Sequence, residues 1–402
     1  MSEPTSPSAV HDVETGAASA PPDAAASGAH TRAPWSPRSS GTPAFRPRTP
    51  GAARDRVRAA EPVSRPARDG AGRVLVTGGT GFIGSSLARR LRAQGRPVRV
   101  LSLVATPAER RNADALEAAG VEVVEGSVAD RRLHPRALAD VAVVHHVAAM
   151  MREADVPDRV FWDVNVGATQ DLARASRENG VRRFVYCSTM GVTGEVRGRP
   201  VDETAPYHPN NIYARTKAAA EEWILGEARA GFAATAVRPA DVYGPGDQRL
   251  VKLFRMIQKG RFVTLGDGRG RRHMIYIDDL LDGMLAAETE PRALGEAFLL
   301  AGPAPVALRD LTALIAGELG VRPPRLRLPY RPVWFAAAVV EAACRPFGVQ
   351  PPIYPRRVDF FAHDYEFQTG KARSVLGFAP RVDVAEGVRR TIAAYREEGS
   401  LA

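Results

Sequence analysis

The chain has 402 residues, of which 45% are apolar, enough to bury one large core or two moderate ones. Its formal net charge is +10, but the excess is Arg scattered through helical stretches and the N-terminal segment rather than gathered in one cluster, which argues against a nucleic-acid partner. Cys187 and Cys344 stand far apart without a C-x-x-C partner, and the N-terminus lacks a basic segment followed by an apolar run. These features read as a cytoplasmic protein in a reducing compartment without a metal. The adjacent His145 and His146 do not alter that, because neighbours on a strand point to opposite faces.

Residues 1–70 are rich in Ala, Pro, Ser, Gly and Arg without apolar periodicity, so a disordered tail is expected there. From R-V-L-V-T-G-G-T-G-F-I-G onward, short apolar runs at 74–76, 98–101, 121–124, 141–147, 184–187 and 234–237 alternate with helical patterns at 85–94, 108–119 and 169–179. That alternation predicts an α/β fold, a Rossmann-type doubly wound parallel sheet over 71–248. Residues 249–402 read as a smaller mixed C-terminal domain, mainly for substrate, with a strand near 298–302 returning to the sheet. The apolar stretch 333–344 is too short to span a bilayer and carries Glu341. It is expected to be a core or subunit-interface helix, with a helix lying on a membrane surface as the alternative.

Gly78, Gly81 and Gly84 form G-x-x-G-x-x-G between a strand and a helix, the context in which backbone can approach a pyrophosphate at a helix N-terminus. Dinucleotide binding follows. The second strand ends in Ser102-Leu-Val, with neither an acidic residue for the adenosine ribose nor an adjacent Arg for a 2′-phosphate. Arg110 and Arg111 come later and read equally well as helix surface, so the cofactor is NAD or NADP, with NAD slightly favoured.

At the end of the fifth strand, Y-C-S-T-M-G-V-T-G puts Ser188 and Thr189 at the carboxyl edge of the sheet, where ligands bind in doubly wound folds. Tyr213 and Lys217 follow in I-Y-A-R-T-K, one helical turn apart. Taken alone, each of these features is weak: a hydroxyl at a strand end is often a turn former, and Tyr and Lys at this spacing are common on helix surfaces.

Together with H-V-A-A at 146–149, N-V-G-A-T at 165–169, R-P-A-D-V-Y-G-P-G-D at 238–247, R-R-H-M-I-Y-I-D-D at 271–279 and L-G-F-A-P-R-V-D-V-A-E-G-V-R-R-T at 376–391, these stretches resemble the extended short-chain dehydrogenase/reductase family, the group of NAD-dependent epimerases and dehydratases. The resemblance covers roughly residues 73–397. It implies Tyr213 as acid/base, Lys217 as its electrostatic partner and ribose binder, and Thr189 as the hydroxyl that orients the substrate oxygen. The cofactor set it implies is Gly78, Gly81, Phe82, Ile83, Gly84, Ser102, Ser127, Val128, Ala148, Ala149, Tyr213, Lys217, Pro239 and Val242. Ser127-Val128 departs from the family's usual Asp followed by an apolar residue, which weakens an adenine contact. Asp241 stands where the family often has an Asn touching substrate, and Arg272 where it has a diphosphate contact.

Charge explains why the Tyr–Lys pair matters. A free Tyr titrates near ~10, and a positive charge about 4 Å away at an effective dielectric of about 20 contributes roughly 4 kcal/mol, or about 3 pKa units. That brings a phenol close to neutral pH, where proton transfer is efficient.

By resemblance the substrate is a small molecule, first a nucleoside-diphosphate sugar epimerised or dehydrated through hydride transfer. The alternative is net dehydrogenation or reduction of an apolar alcohol of the 3β-hydroxysteroid or dihydroflavonol type, which the apolar helix around Trp334 and Phe335 suits, as would a peripheral membrane contact. A non-catalytic NAD(P)-binding scaffold is a third reading, set against the presence of Thr189, Tyr213 and Lys217. A homodimer is the family's usual assembly.

Overall fold

The computed structural model describes residues 72–401 apart from 152–155, 196–199, 348, 350, 356–357 and 359–363. The tail expected over 1–70 lies outside the described residues.

Strands β1 (Arg73–Thr77), β2 (Val98–Ser102), β3 (Glu122–Glu125), β4 (Val141–His146), β5 (Arg183–Cys187) and β6 (Ala234–Pro239) alternate with helices α1 (Phe82–Ala93), α2 (Pro107–Ala118), α3 (His134–Leu138), α4 (Asp158–Trp162), α5 (Ala168–Glu178) and α6 (Ile212–Arg229). Beyond them come the two- and three-residue strands β7 (Asp241–Tyr243), β8 (Thr264–Leu265), β9 (Arg271–Arg272) and β10 (Met274–Tyr276), then β11 (Ala297–Leu300), β12 (Val306–Ala307) and β13 (Arg327–Leu328). The later helices are α7 (Gln248–Gln258), α8 (Ile277–Thr289), α9 (Leu308–Glu318), α10 (Tyr330–Cys344), α11 (Gly370–Leu376) and α12 (Val384–Glu397).

Seven strands form one sheet in the order β11-β6-β5-β4-β1-β2-β3, every pairing parallel. Strand order reverses between β1 and β4, which opens a crevice at their carboxyl ends. The apolar runs are continuous because both faces are covered: Leu75, Val144, Phe184 and Ala236 pack in one cluster, and Val74, Val76, Val185 and Val237 in the other. β11 joins the sheet from late in the chain, Ala297 to Leu300 lying beside Ala236 to Pro239.

Local sequence sets the helix ends. Thr106 and Glu109 make a reciprocal capping box at the start of α2, with Pro107 in the first turn. Asn211 caps α6 by accepting from Ala214 N at 3.0 Å. The buried stripe of α6 carries Ile212, Thr216, Ala220 and Ile224, together with the polar Lys217 and Glu221.

The helix expected at 333–344 in the core or at a subunit interface is present as α10, and of these two places the core is excluded. Ala337 is its single buried residue, while Trp334, Phe335 and Val339 face outward. Apolar composition made the stretch read as core, and no neighbouring element packs over that face among the described residues.

Candidate active site

The glycine turn connects β1 to α1. Gly78 has φ +67° and its N–H donates to Leu101 O at 2.9 Å, so the turn is tied to β2. A Cβ at Gly78 would sit 2.8 Å from Ala148 Cα, and one at Gly84 would sit 2.2 Å from Gly78 O. Both glycines are therefore required by close approach of backbone. Gly81 precedes α1 without any side-chain cap, which leaves the first-turn N–H groups for an anion. This cradle, closed to any Cβ at Gly78 and Gly84 and uncapped at Gly81, fits a dinucleotide pyrophosphate. Phe82 and Ile83 open the helix, half-buried against the core.

The Ser102 hydroxyl is engaged by the turn itself, 2.6 Å from Thr80 Oγ1, and Thr80 Oγ1 also donates to Leu103 O at 2.9 Å. Ser102 thus braces the glycine loop from below. Ser127 Oγ accepts from Ala129 N at 3.2 Å in a local turn, and buried Val128 gives its carbonyl to His134 Nε2 at 2.9 Å. Arg110 is held by Glu125 at 2.6 and 2.9 Å.

A polar chain joins the three motifs around the crevice. Thr169 Oγ1 donates to Asn165 O at 2.8 Å, so it accepts from His146 Nε2–H at 2.7 Å. His146 Nδ1 then accepts from the Thr77 hydroxyl at 2.7 Å, and Thr77 Oγ1 accepts from Ala148 N at 3.2 Å. Burial, with the Lys217 charge and His134 adding to it, pushes the His146 imidazole down to about 3, so it is neutral. Asn165 lies in a single π-turn over Asp163–Gly167 and holds Met150 N at 2.7 Å, Met150 O at 3.0 Å and Thr216 Oγ1 at 3.0 Å. The loop carrying Ala148 and Ala149 is thereby pinned to α6. His145 points the other way, to Glu288 at 2.8 Å. Among the described residues no group of three or more His, Cys, Asp or Glu could hold a metal ion.

Thr189 is half-buried two residues beyond β5, its hydroxyl accepting from Gly191 N at 3.2 Å. A Cβ at Gly191 would lie 3.5 Å from Thr189 Oγ1 and 3.6 Å from Ala214 Cβ. The Thr189 turn therefore rests against the first turn of α6, where Tyr213 is half-buried. Lys217 follows one turn on and is 1% exposed, with Nζ 4.1 Å from the Tyr186 ring centroid. Burial pushes its ammonium down to about 8, although Cys187 and Glu221 pull it up. It is still mostly charged at neutral pH. Burial also raises the neighbouring Cys187 thiol to about 11, so that group is no thiolate.

Below this stripe Glu221, fully buried, accepts from Arg238 at 2.9 and 2.6 Å and from Tyr207 Oη at 2.8 Å. Arg238 is thus a brace between β6 and α6. Pro239 and Val242 are buried, continuing from the end of β6 into β7.

The wall contributed by the later residues departs from expectation. Arg272, 3% exposed, is hydrogen-bonded through Nη2 to Asp241 Oδ2, and its guanidinium lies 4.5 Å from the Tyr365 ring centroid. The two residues assigned by resemblance to separate substrate contacts bind each other. A small cavity of about 30 Å³ is lined by Arg272 and by apolar residues including Leu253, Met274 and Leu311.

Arg249 was not singled out from the sequence. Its Nε donates to Asp247 Oδ1 at 2.8 Å and its Nη2 to Val242 O at 2.9 Å, and the guanidinium sits 5.7 Å from the Phe82 ring centroid. Burial acts to lower its pKa, but Asp247 first, and then Asp241 and Tyr213, outweigh that and hold the guanidinium charged. The available signal was its place two residues after Asp247 at the end of the G-P-G-D run.

A family model described as NAD dependent epimerase/dehydratase family matches residues 74–301. The chain is 29% identical to a 3 beta-hydroxysteroid dehydrogenase/Delta 5-->4-isomerase of Mycobacterium tuberculosis, over 81% of this chain and 90% of that protein. It is 30% identical to a 2-alkyl-3-oxoalkanoate reductase of Stenotrophomonas maltophilia, over 79% of this chain and 98% of that one. Among solved structures it is similar to a dTDP-glucose 4,6-dehydratase of Streptomyces venezuelae crystallised with NAD, at TM-score 0.67 and 28% identity, covering 81% of this chain and 97% of that one.

Proposed function

The chain belongs to the NAD-dependent epimerase/dehydratase family and is an NAD(P)-dependent oxidoreductase acting on a small molecule, and on that premise we propose that its substrate is an apolar secondary alcohol, or the matching ketone, converted in a net oxidation or reduction. The Asp241–Arg272 pair carries this reading. A guanidinium already bound to a carboxylate and stacked on Tyr365 presents no net positive charge to a diphosphate, and freeing it would strand a buried charge. An apolar substrate asks for no such charge. The likeness to the relatives named for a 3β-hydroxysteroid and for a 2-alkyl-3-oxoalkanoate supports the same class.

In this reading residues 71–248 hold the cofactor and residues 249–402 mainly the substrate. Thr189 holds the substrate oxygen, and Tyr213 Oη exchanges the proton with it. The Lys217 ammonium favours the phenolate and would be the group that holds the cofactor ribose. A bound nicotinamide supplies or accepts the hydride. Arg249 is also paired with a carboxylate, but unlike Arg272 its side chain is 45% exposed beside Phe82 at the start of α1, and it would meet the cofactor's charged middle through the N–H groups outside that pair. A homodimer in the cytoplasm is part of the proposal.

A nucleoside-diphosphate sugar is the second reading, supported by the likeness to the dTDP-glucose dehydratase and by the place of Arg272 in R-R-H-M-I-Y-I-D-D. Incubation with a panel of 3β-hydroxysteroids, 2-alkyl-3-oxoalkanoates and UDP-, GDP- and dTDP-sugars under both cofactors separates the two. Net change in 340 nm absorbance with the apolar members is the expected result. Conversion of a sugar nucleotide without net change would overturn it.

A further inference from the structure

Seven of the eleven exposed large apolar side chains among the described residues fall within residues 326–349. Phe335 is 68% exposed and Phe347 80%, with Leu326, Trp334, Val339 and Val349 beside them in the chain. Such a concentration is a binding surface rather than the usual scatter of single apolar residues. Interleaved with it are the exposed Arg322, Arg325, Arg327 and Arg331, and the acidic residue of the segment is Glu341 alone. The patch is fastened to the body: β13 pairs with β8, Arg327 beside Thr264 and Leu328 beside Leu265, and Ala337 is fully buried under α10.

We propose that residues 326–349 dock the protein on an anionic lipid bilayer, with α10 lying in the plane of the interface. Its 15 residues make a helix of roughly 22 Å, shorter than a hydrocarbon core, and no helix among the described residues is long and apolar enough to cross a membrane. Apolar side chains enter the headgroup boundary while the arginines meet lipid phosphates, the pattern of an interfacial helix. Charge decides between a bilayer and a second copy of this chain. A two-fold contact through the same face would bring like arginine clusters together, whereas anionic lipid neutralises each of them. The proposal does not depend on which substrate the enzyme takes.

Co-sedimentation of the full chain with vesicles of phosphatidylcholine, alone or mixed with phosphatidylglycerol, tests it. Binding to the mixed vesicles is expected, and the double substitution Phe335→Ser, Phe347→Ser should weaken it on the order of a hundredfold. That variant keeps every charge, including those of the N-terminal segment, so a purely electrostatic attachment would be unchanged by it and would overturn the assignment to this patch. Bromine-labelled lipid should quench a component of the tryptophan fluorescence that is absent in Trp334→Phe. Cofactor binding by the double variant, equal to that of the parent protein, serves as the control for folding. No vesicle binding by the parent protein, with a dimer in sedimentation velocity that the double variant dissociates, would identify a second copy as the occupant and overturn the proposal.

Discussion

Arg272 and Asp241 bind each other at the wall facing the crevice, with 4% and 18% of their side chains exposed. Removing one partner alone leaves an uncompensated charge, so Arg272→Met should lower stability by about 2 kcal/mol, a part of the cost of a fully buried pair. Asp241→Asn should instead release the guanidinium and strengthen binding of UDP by about tenfold. Chemical denaturation and titration calorimetry read the two effects. Unchanged UDP affinity in Asp241→Asn would count against the pair as the element that excludes a diphosphate.

Tyr213→Phe should lower turnover by about three orders of magnitude while NADH still binds. Thr189→Val should lose on the order of a hundredfold, and Thr189→Ser should retain most activity because the hydroxyl is kept. Steady-state rates and NADH fluorescence titrations check both. Retained turnover in Tyr213→Phe would remove it from the chemistry.

Burial holds the Lys217 pKa at about 8, below its ordinary value of 10.5, and the sign of the consequence follows. Above about 8 the folded protein loses this charge while an unfolded chain keeps it up to 10.5. On this group's account, stability therefore rises with pH across that window. Activity moves the opposite way, since a neutral Lys217 no longer supports the phenolate. The pH profile of kcat/KM should fall on an alkaline limb near 8, and Lys217→Met should abolish that limb together with most activity.

Arg249→Gln should raise the dissociation constant for NADH about tenfold, with kcat nearly unchanged. The comparison of KM for the cofactor with kcat separates this from general damage. A loss confined to kcat, or to melting temperature through the buried Asp247 partner, would assign Arg249 a structural role.

Glu288 is 7% exposed. Burial pushes its carboxyl up, but His145 and Arg96 outweigh that and hold it at about 2, against an ordinary 4.5. A depressed carboxyl contributes stability above its unfolded pKa and loses it as pH falls through the folded one. About 3 kcal/mol should disappear between pH 4.5 and about 2. Urea unfolding against pH should show this slope, and Glu288→Gln should flatten it.

Much of the fold was legible because it depends on local chemistry. The seven apolar runs are the seven sheet strands, since a strand covered on both faces must be apolar throughout. The glycine spacing located the turn, and the motif positions located Thr189, Tyr213 and Lys217. Several motif residues proved to be braces on closer view. Asp279 of Y-I-D-D accepts from Arg381 and Val382 at 3.0 Å, joining that motif to the C-terminal one, and His146 links Thr77 to Thr169. Sequence spacing cannot separate such braces from chemistry, because both demand a particular side chain at a particular place.

Local sequence determined the strands, the helix caps, the glycine cradle and the i, i+4 placement of Tyr213 and Lys217, since each depends on residues within a few positions of one another. Tertiary structure alone decided that Asp241 and Arg272, thirty-one positions apart, cancel each other's charge. It alone decided that Arg249 reaches Phe82 and that α10 shows its apolar face outward. Those outcomes depend on which distant groups meet and which surface is left without a neighbour, and neither is written in the periodicity of any one segment.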